Sequence, residues 1–274
     1  SFPTRRSSDL GQVDFIENNE LGMLPLQEVV FRNCLARKSG MILTAGPTGS
    51  GKTSTLYAAL KMLNREGVSI ISVEDPVEYR LQGVTQVQVN EKAGLTFEKG
   101  LRSIVRQDPD IVMIGEIRDR ETAEIAVHAA LTGHLVLSTI HTNQASDAPL
   151  RLMDMGIAPY LLSASLSLVI AQRLAGRLCQ HCKSPYILTE KEQQALGLPE
   201  TCRGRRVYQK KGCENCHDGL KGRTGIFEMI SIGRKERDLI HHGFSADRFR
   251  ECMKRQGQPS MGEAALTLMA EGVI

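Results

Sequence analysis

Residues 26–35 carry apolar side chains at Val29, Val30, Phe31 and Cys34, the spacing of one helical face. Short apolar runs then alternate with amphipathic stretches. Residues 41–45, 69–73, 111–114 and 135–138 read as buried strands. Residues 52–63, 96–106 and 120–131 read as helices, the last Ala-rich and stopped by Gly133. Residues 84–89 set Thr85, Val87 and Val89 against Gln86 and Gln88, which predicts a half-exposed strand. Strands separated by helices predict an α/β fold, a mostly parallel sheet with helices on both faces. The alternation lapses at Cys179 into a segment rich in Cys, Gly and Lys as far as Arg223, and a short helical tail is expected from there to Ile274. Residues 1–10 have no hydrophobic period and read as disordered or foreign to the fold.

A length of 274 residues suits one large α/β domain, or a core with a small second module. Hydrophobic residues at 41% and charged residues at 24% exclude wholesale disorder. A formal charge of +3 and only 4% aromatic residues argue against a nucleic-acid partner. The longest apolar stretch, around residues 160–174, is interrupted by Ser163, Ser165 and Ser167, so no membrane span is expected. The polar, basic start has no signal-peptide core, and the chain reads as cytoplasmic.

Chemistry enters at Gly46-Pro47-Thr48-Gly49-Ser50-Gly51-Lys52-Thr53-Ser54, which satisfies G-x-x-x-x-G-K-[ST] between a predicted strand and a predicted helix. Glycines let the backbone N–H groups ring an anion at the positive end of the helix. Lys52 is placed to reach the β and γ phosphates, and Thr53 to ligate Mg²⁺. The strand at residues 111–114 delivers Gly115-Glu116, with glycine where an Asp that helps hold the metal is usual. Glu74, in the run Glu74-Asp75-Pro76-Val77-Glu78, is expected to supply the missing charge, because ligand crevices of open parallel sheets lie beyond the strands' carboxyl ends. His141 falls on the same rim and is a candidate γ-phosphate sensor, whereas His134, at the other end of its strand, reads as structural.

Seven cysteines include two close pairs, Cys179-x-x-Cys182 and Cys213-x-x-Cys216, about thirty residues apart. Two such knuckles complete a four-thiolate Zn²⁺ site with no open position, hence a structural metal. His181 and His217 beside them are expected to be exposed or to sit behind the ligands, and Cys34, Cys202 and Cys252 read as ordinary residues.

The phosphate loop, Ile71 to Glu78, Leu101 to Asp119 and the two-histidine strand resemble, in order and wording, the type II secretion and type IV pilus assembly ATPases, where they are the Walker A, Asp box, atypical Walker B and His box. The resemblance runs from about Leu24 to about Gly272. It implies a RecA-like P-loop NTPase core in a hexameric ring that hydrolyses ATP with Mg²⁺. The ring would sit peripherally at the inner membrane, held there by platform and recruiting proteins, and would drive pilus or pseudopilus assembly. By that likeness Glu116 is the catalytic carboxylate, Glu74 lies near metal and attacking water, and His141 approaches the γ-phosphate. Family members carry a preceding domain that supplies arginines, and most of it is missing from this chain, as is the usual C-terminal helix. The polypeptide is therefore expected to be a fragment that turns ATP over poorly alone. Arg102, Arg106 and Arg118 are candidate charge donors, equally readable as ion-paired structural residues.

The expected division is 1–24 as a disordered or foreign start and a remnant of the preceding domain, 25–178 as RecA-like ATPase core, 179–228 as tetracysteine zinc module and 229–274 as a truncated C-terminal helical subdomain. The tetracysteine insertion resembles the secretion and pilus-extension branch rather than retraction motors. Leu239-Ile240-His241 and Gly225-Ile226-Phe227-Glu228 lean toward the secretion motor, with pilus extension as the alternative. A nucleic-acid translocase and a non-hydrolysing nucleotide-dependent scaffold are the readings from other classes.

Overall fold

A computed structural model describes residues 21–195, 200 and 204–274; residues 1–10 and Cys202 lie outside the described residues. The predicted alternation is realised as α1 (Pro25–Leu35), β1 (Gly40–Ala45), α2 (Lys52–Leu63), β2 (Ile70–Glu74), β3 (Thr85–Gln88), α3 (Phe97–Val105), β4 (Ile111–Ile114), α4 (Arg120–Leu131) and β5 (Leu135–Ile140). Strands β1, β2, β4 and β5 are buried at every position, so they read as unbroken apolar runs, whereas β3 is half-exposed. Helix starts follow side-chain caps: Thr96 Oγ1 accepts from the Lys99 amide at 3.3 Å, and Asp119 Oδ1 from the Thr122 amide at 2.7 Å.

A further strand, β6 (Leu166–Leu178), and a last one, β9 (Leu220–Ser231), complete a seven-stranded sheet of order β3-β2-β4-β5-β1-β6-β9. All neighbours are parallel except β9, which runs antiparallel to β6. Alternate side chains of each strand enter opposite layers. Met41, Leu43, Val112 and Val136 pack on α3 and α4 through Leu101, Ala123 and Val127. Ile42, Ile111, Met113 and Leu137 face Phe31 of α1 and Leu56, Tyr57 and Leu60 of α2.

Two segments depart from the sequence reading. Residues 160–174 are neither one helix nor a loop: α6 (Pro159–Ser165) turns directly into β6. The serines are tolerated because Ser163 and Ser165 Oγ donate to the carbonyls of Tyr160 at 2.9 Å and Leu162 at 3.4 Å, and Ser167 packs on the neighbouring strand β1, where a side chain at Gly40 would strike its Oγ at 2.1 Å. Burial of β6 on both faces through Ala171 erases any period. The tail is not wholly helical either. β9 leads from the cysteine region into the main sheet before α8 (Arg234–His242), α9 (Ala246–Arg255) and α10 (Met261–Ala270), so the expected boundary at 228 falls within a strand. A separate antiparallel pair, β7 (Ser184–Ile187) with β8 (Arg206–Gln209), forms a small core with α10 through Leu188, Val207 and Leu266. Buried Glu228 braces the two parts, accepting from the amide of Ala145 at 3.0 Å and from that of Met261, the first residue of α10, at 3.2 Å.

Leu168 is fully buried on β6. Leu168→Ala should cost about 2–5 kcal/mol in urea unfolding. Exposed Leu150→Ala should stay within about 0.5 kcal/mol of the parent; equal effects would contradict the placement of β6.

Candidate active site

The carboxyl ends of β1, β2, β4 and β5 open on a cleft of about 620 Å³, lined by residues 48–54, Glu74, Asp75, Pro76, Glu78, Tyr79, Phe97, Gly115, Glu116, Arg118, Thr139, His141, Leu174 and Arg223 among others. The loop between β1 and α2 forms its floor. Gly46 and Gly51 have φ of +151° and +85°, and a side chain at either would strike Gln172 of β6, at 2.7 Å and 2.8 Å respectively. Both positions therefore demand glycine on conformation and on space. Gln172, whose Oε1 also accepts from Thr55 Oγ1 at 2.8 Å, buttresses the loop from behind. α2 starts without a side-chain cap, which leaves its first amides for an anion. Lys52 Nζ donates to the carbonyls of Gly46 at 2.8 Å and Pro47 at 3.0 Å. Burial lowers its pKa, against the pull of Glu116 and with a further push from Arg173.

Glu116 stands across the cleft, two residues beyond Ile114, the last residue of β4. Arg118 pairs with its Oε1, and His141 Nε2 lies 3.2 Å from its Oε2. Burial pushes the Glu116 carboxyl upward, but the Arg118 hydrogen bond and charge, joined by His141, more than offset this and hold it below the usual carboxylate range. The group is therefore an ionised acceptor with one oxygen shared by each neighbour.

Glu74 borders the cleft yet offers it no free oxygen. Its Oε1 accepts from Ser72 Oγ at 2.5 Å and Gln86 Nε2 at 3.2 Å, and its Oε2 accepts from the Tyr57 hydroxyl. The residue is 2% exposed. The acidic side chains that open on the cleft from this segment belong to Asp75 and Glu78, both exposed. The Thr53 hydroxyl with these carboxylates makes an oxygen-rich set that suits a hard cation such as Mg²⁺.

Of the three candidate arginines, only Arg118 reaches the cleft. Arg102 pairs with Glu98 at 3.0 Å on the outer face of α3, and Arg106 caps the same helix. Arg223, on β9, lines the cleft instead; its Gly- and Lys-rich run carries no strand pattern that would mark it. His134 lies at the far end of β5 with Nδ1 3.0 Å from the Ala129 carbonyl, a structural place.

Cys179, Cys182, Cys213 and Cys216 converge, all four Sγ atoms lying within 4.8 Å of one another. Sulfur separations are 3.8 Å for Cys179–Cys213, 3.7 Å for Cys182–Cys216 and 3.6 Å for Cys213–Cys216. A tetrahedral ion with metal–sulfur bonds of about 2.3 Å requires about 3.8 Å between sulfurs, which these three separations match, so the four thiols suit one metal ion. Cys34 and Cys252 are buried elsewhere, and His181 and His217 are exposed.

Residues 6–274 match the family described as type II/IV secretion system protein. Type II secretion system protein E of Aeromonas hydrophila is 48% identical over 258 residues, covering 94% of this chain and 51% of that protein. The type IV pilus assembly ATPase PilB of Myxococcus xanthus is 48% identical over 247 residues, covering 88% and 43%. Among solved structures, the pilus retraction motor PilT with bound ADP superposes with a TM-score of 0.70 at 28% identity, covering 96% of this chain and 65% of that one. The ATPase DotB of Legionella pneumophila shares the fold, with a TM-score of 0.67 at 20% identity over 94% of this chain and 63% of its own. The chain thus spans about half the length of the curated relatives it matches.

Arg118→Ala removes the strongest influence holding Glu116 ionised and leaves much of its burial. The Glu116 midpoint in a carbon-13 carboxyl titration should therefore move up. In the parent, this pair adds stability above the ordinary glutamate pKa of about 4.3 that is lost as pH falls through the lowered value; the variant should lose less on acidification. An unmoved midpoint would contradict the ion pair.

Proposed function

Because the chain belongs to the type II/IV secretion system protein family, we propose that it is the ATP-hydrolysing motor segment of a type II secretion machine, driving pseudopilus assembly and protein export. The observation that carries the reading is Glu116, held ionised by Arg118 and His141 across one cleft from the phosphate loop. The structural neighbour PilT, which carries ADP, supports a nucleotide in that cleft.

On this reading the amides of residues 46–54 and the start of α2 receive the β and γ phosphates, and Lys52 exchanges its carbonyl partners for phosphate oxygens. Glu116 takes a proton from the attacking water and orients it. His141, already sharing a Glu116 oxygen, reaches toward the terminal phosphate, and Arg118 and Arg223 offset charge that builds during transfer. Thr53 would hold Mg²⁺, which when bound neutralises phosphate charge. Glu74, with its oxygens engaged, serves by fixing the loop that follows rather than by touching the metal.

The four thiolates would hold a structural Zn²⁺, whose binding energy would support a module with a small core of its own. The working state is a homo-oligomeric, hexameric ring held at the inner membrane by platform and recruiting proteins. Among the described residues no helix is long and apolar enough to cross a membrane. Similarity to PilB favours pilus extension as the second reading.

Lys52→Ala should abolish nucleotide affinity. Glu116→Gln should keep it and slow turnover about 10²- to 10⁴-fold. Equal turnover in Glu116→Gln and the parent would favour a scaffold, and strong stimulation by single-stranded DNA would favour a translocase. Elemental analysis should find about one zinc per chain, released by chelation with loss of thermal stability. Unchanged metal content in Cys213→Ser would refute the site.

A further inference from the structure

The Tyr57 hydroxyl lies where α2 meets the carboxyl end of β2. The ring is fully buried and packs edge-on against Tyr79, with centroids 4.5 Å apart. A phenol has one proton to give and lone pairs to receive. The proton goes to Glu74 Oε2, while the oxygen accepts from the backbone amide of Glu78 at 3.3 Å and, more weakly, from Gln86 Nε2 at 3.4 Å. Burial first, and the Glu74 carboxylate second, push the phenol well above the usual tyrosine range, so it stays a donor.

Tyr57 is one helical turn beyond Thr53 on the helix that opens with Lys52. Its hydroxyl therefore ties the phosphate-loop helix to residues 75–78, which give Asp75, Pro76 and Glu78 to the cleft wall. Among the described residues, the Glu78–Tyr57 contact is the hydrogen bond made by a backbone amide of this loop. Glu78 is otherwise exposed.

We propose that Tyr57 is a positioning residue: through its hydroxyl it locks the 75–78 loop to the helix carrying the phosphate loop, setting the acidic side of the cleft without touching nucleotide. The proposal rests on the hydrolysis reading above. Because the phosphate cradle does not use Tyr57, its loss should spare binding and impair turnover.

The test uses the assembled, full-length protein that carries this segment. Tyr57→Phe should lower kcat about tenfold while affinity for a fluorescent ADP analogue stays within about threefold. Phe249→Leu, a change in the buried core of α9, should leave kcat unchanged, which separates positioning from general loss of packing. By hydrogen exchange, the Glu78 amide should be protected in the parent and released in Tyr57→Phe. Parental kcat in Tyr57→Phe overturns the proposal, as does equal loss of kcat and affinity, or a matching loss in Phe249→Leu. If Tyr57→Phe does not fold, the parent decides: a Glu78 amide exchanging like a free loop amide overturns the clamp. Should the parent turn over no faster than Glu116→Gln, the hydrolysis reading fails, and the exchange measurement still reports on the clamp.

Discussion

A carboxylate at the end of a strand buried on both faces must find partners, because removing a bare negative charge from water costs several kcal/mol. The central sheet makes that demand twice. Strands β2 and β4 are wholly buried, and each delivers a glutamate at or just beyond its carboxyl end. The surroundings of the cleft are arranged around how those two charges are met.

The answers differ in kind. Glu116 is met by a guanidinium and an imidazole that are themselves exposed, so its oxygens lie toward the open side of the cleft. Glu74 is met by a buried phenol, a buried serine and the half-buried amide of Gln86, which together engage both of its oxygens. One group faces the cleft and the other is turned into its wall. The same division is seen at the loop floor, where the amides of α2 stay uncapped while Gln172 fixes the glycines from behind.

Much of this was legible in the amino-acid sequence. The short apolar runs became β1, β2, β4 and β5 because parallel strands covered on both faces show no alternation, and the alternating run became the half-exposed β3. The spacing of the cysteines foretold their convergence. What stayed hidden depends on pairing across long separations. β6 carries a buried serine and a buried glutamine in place of a clean pattern, and β9 is recognisable as a strand only through its register with β6. With β6 and β9 went Gln172 and Arg223, two neighbours of the phosphate loop and cleft. Which of several acidic residues faces solvent was equally beyond a linear reading, since Glu74 and Asp75 are adjacent and point to opposite environments.

β9 has one more implication. It starts beside the thiol cluster, pairs with β6 from Leu178↔Leu220 onward, and carries Arg223 into the cleft before it reaches the interior. One hydrogen-bonded ribbon, with a register irregularity between Gly176 and Leu178, joins the cysteine region to the main sheet along this path. The thiol cluster and the rim of the cleft therefore share one strand pair, with four residues between Gly219 and Thr224 spanning the two.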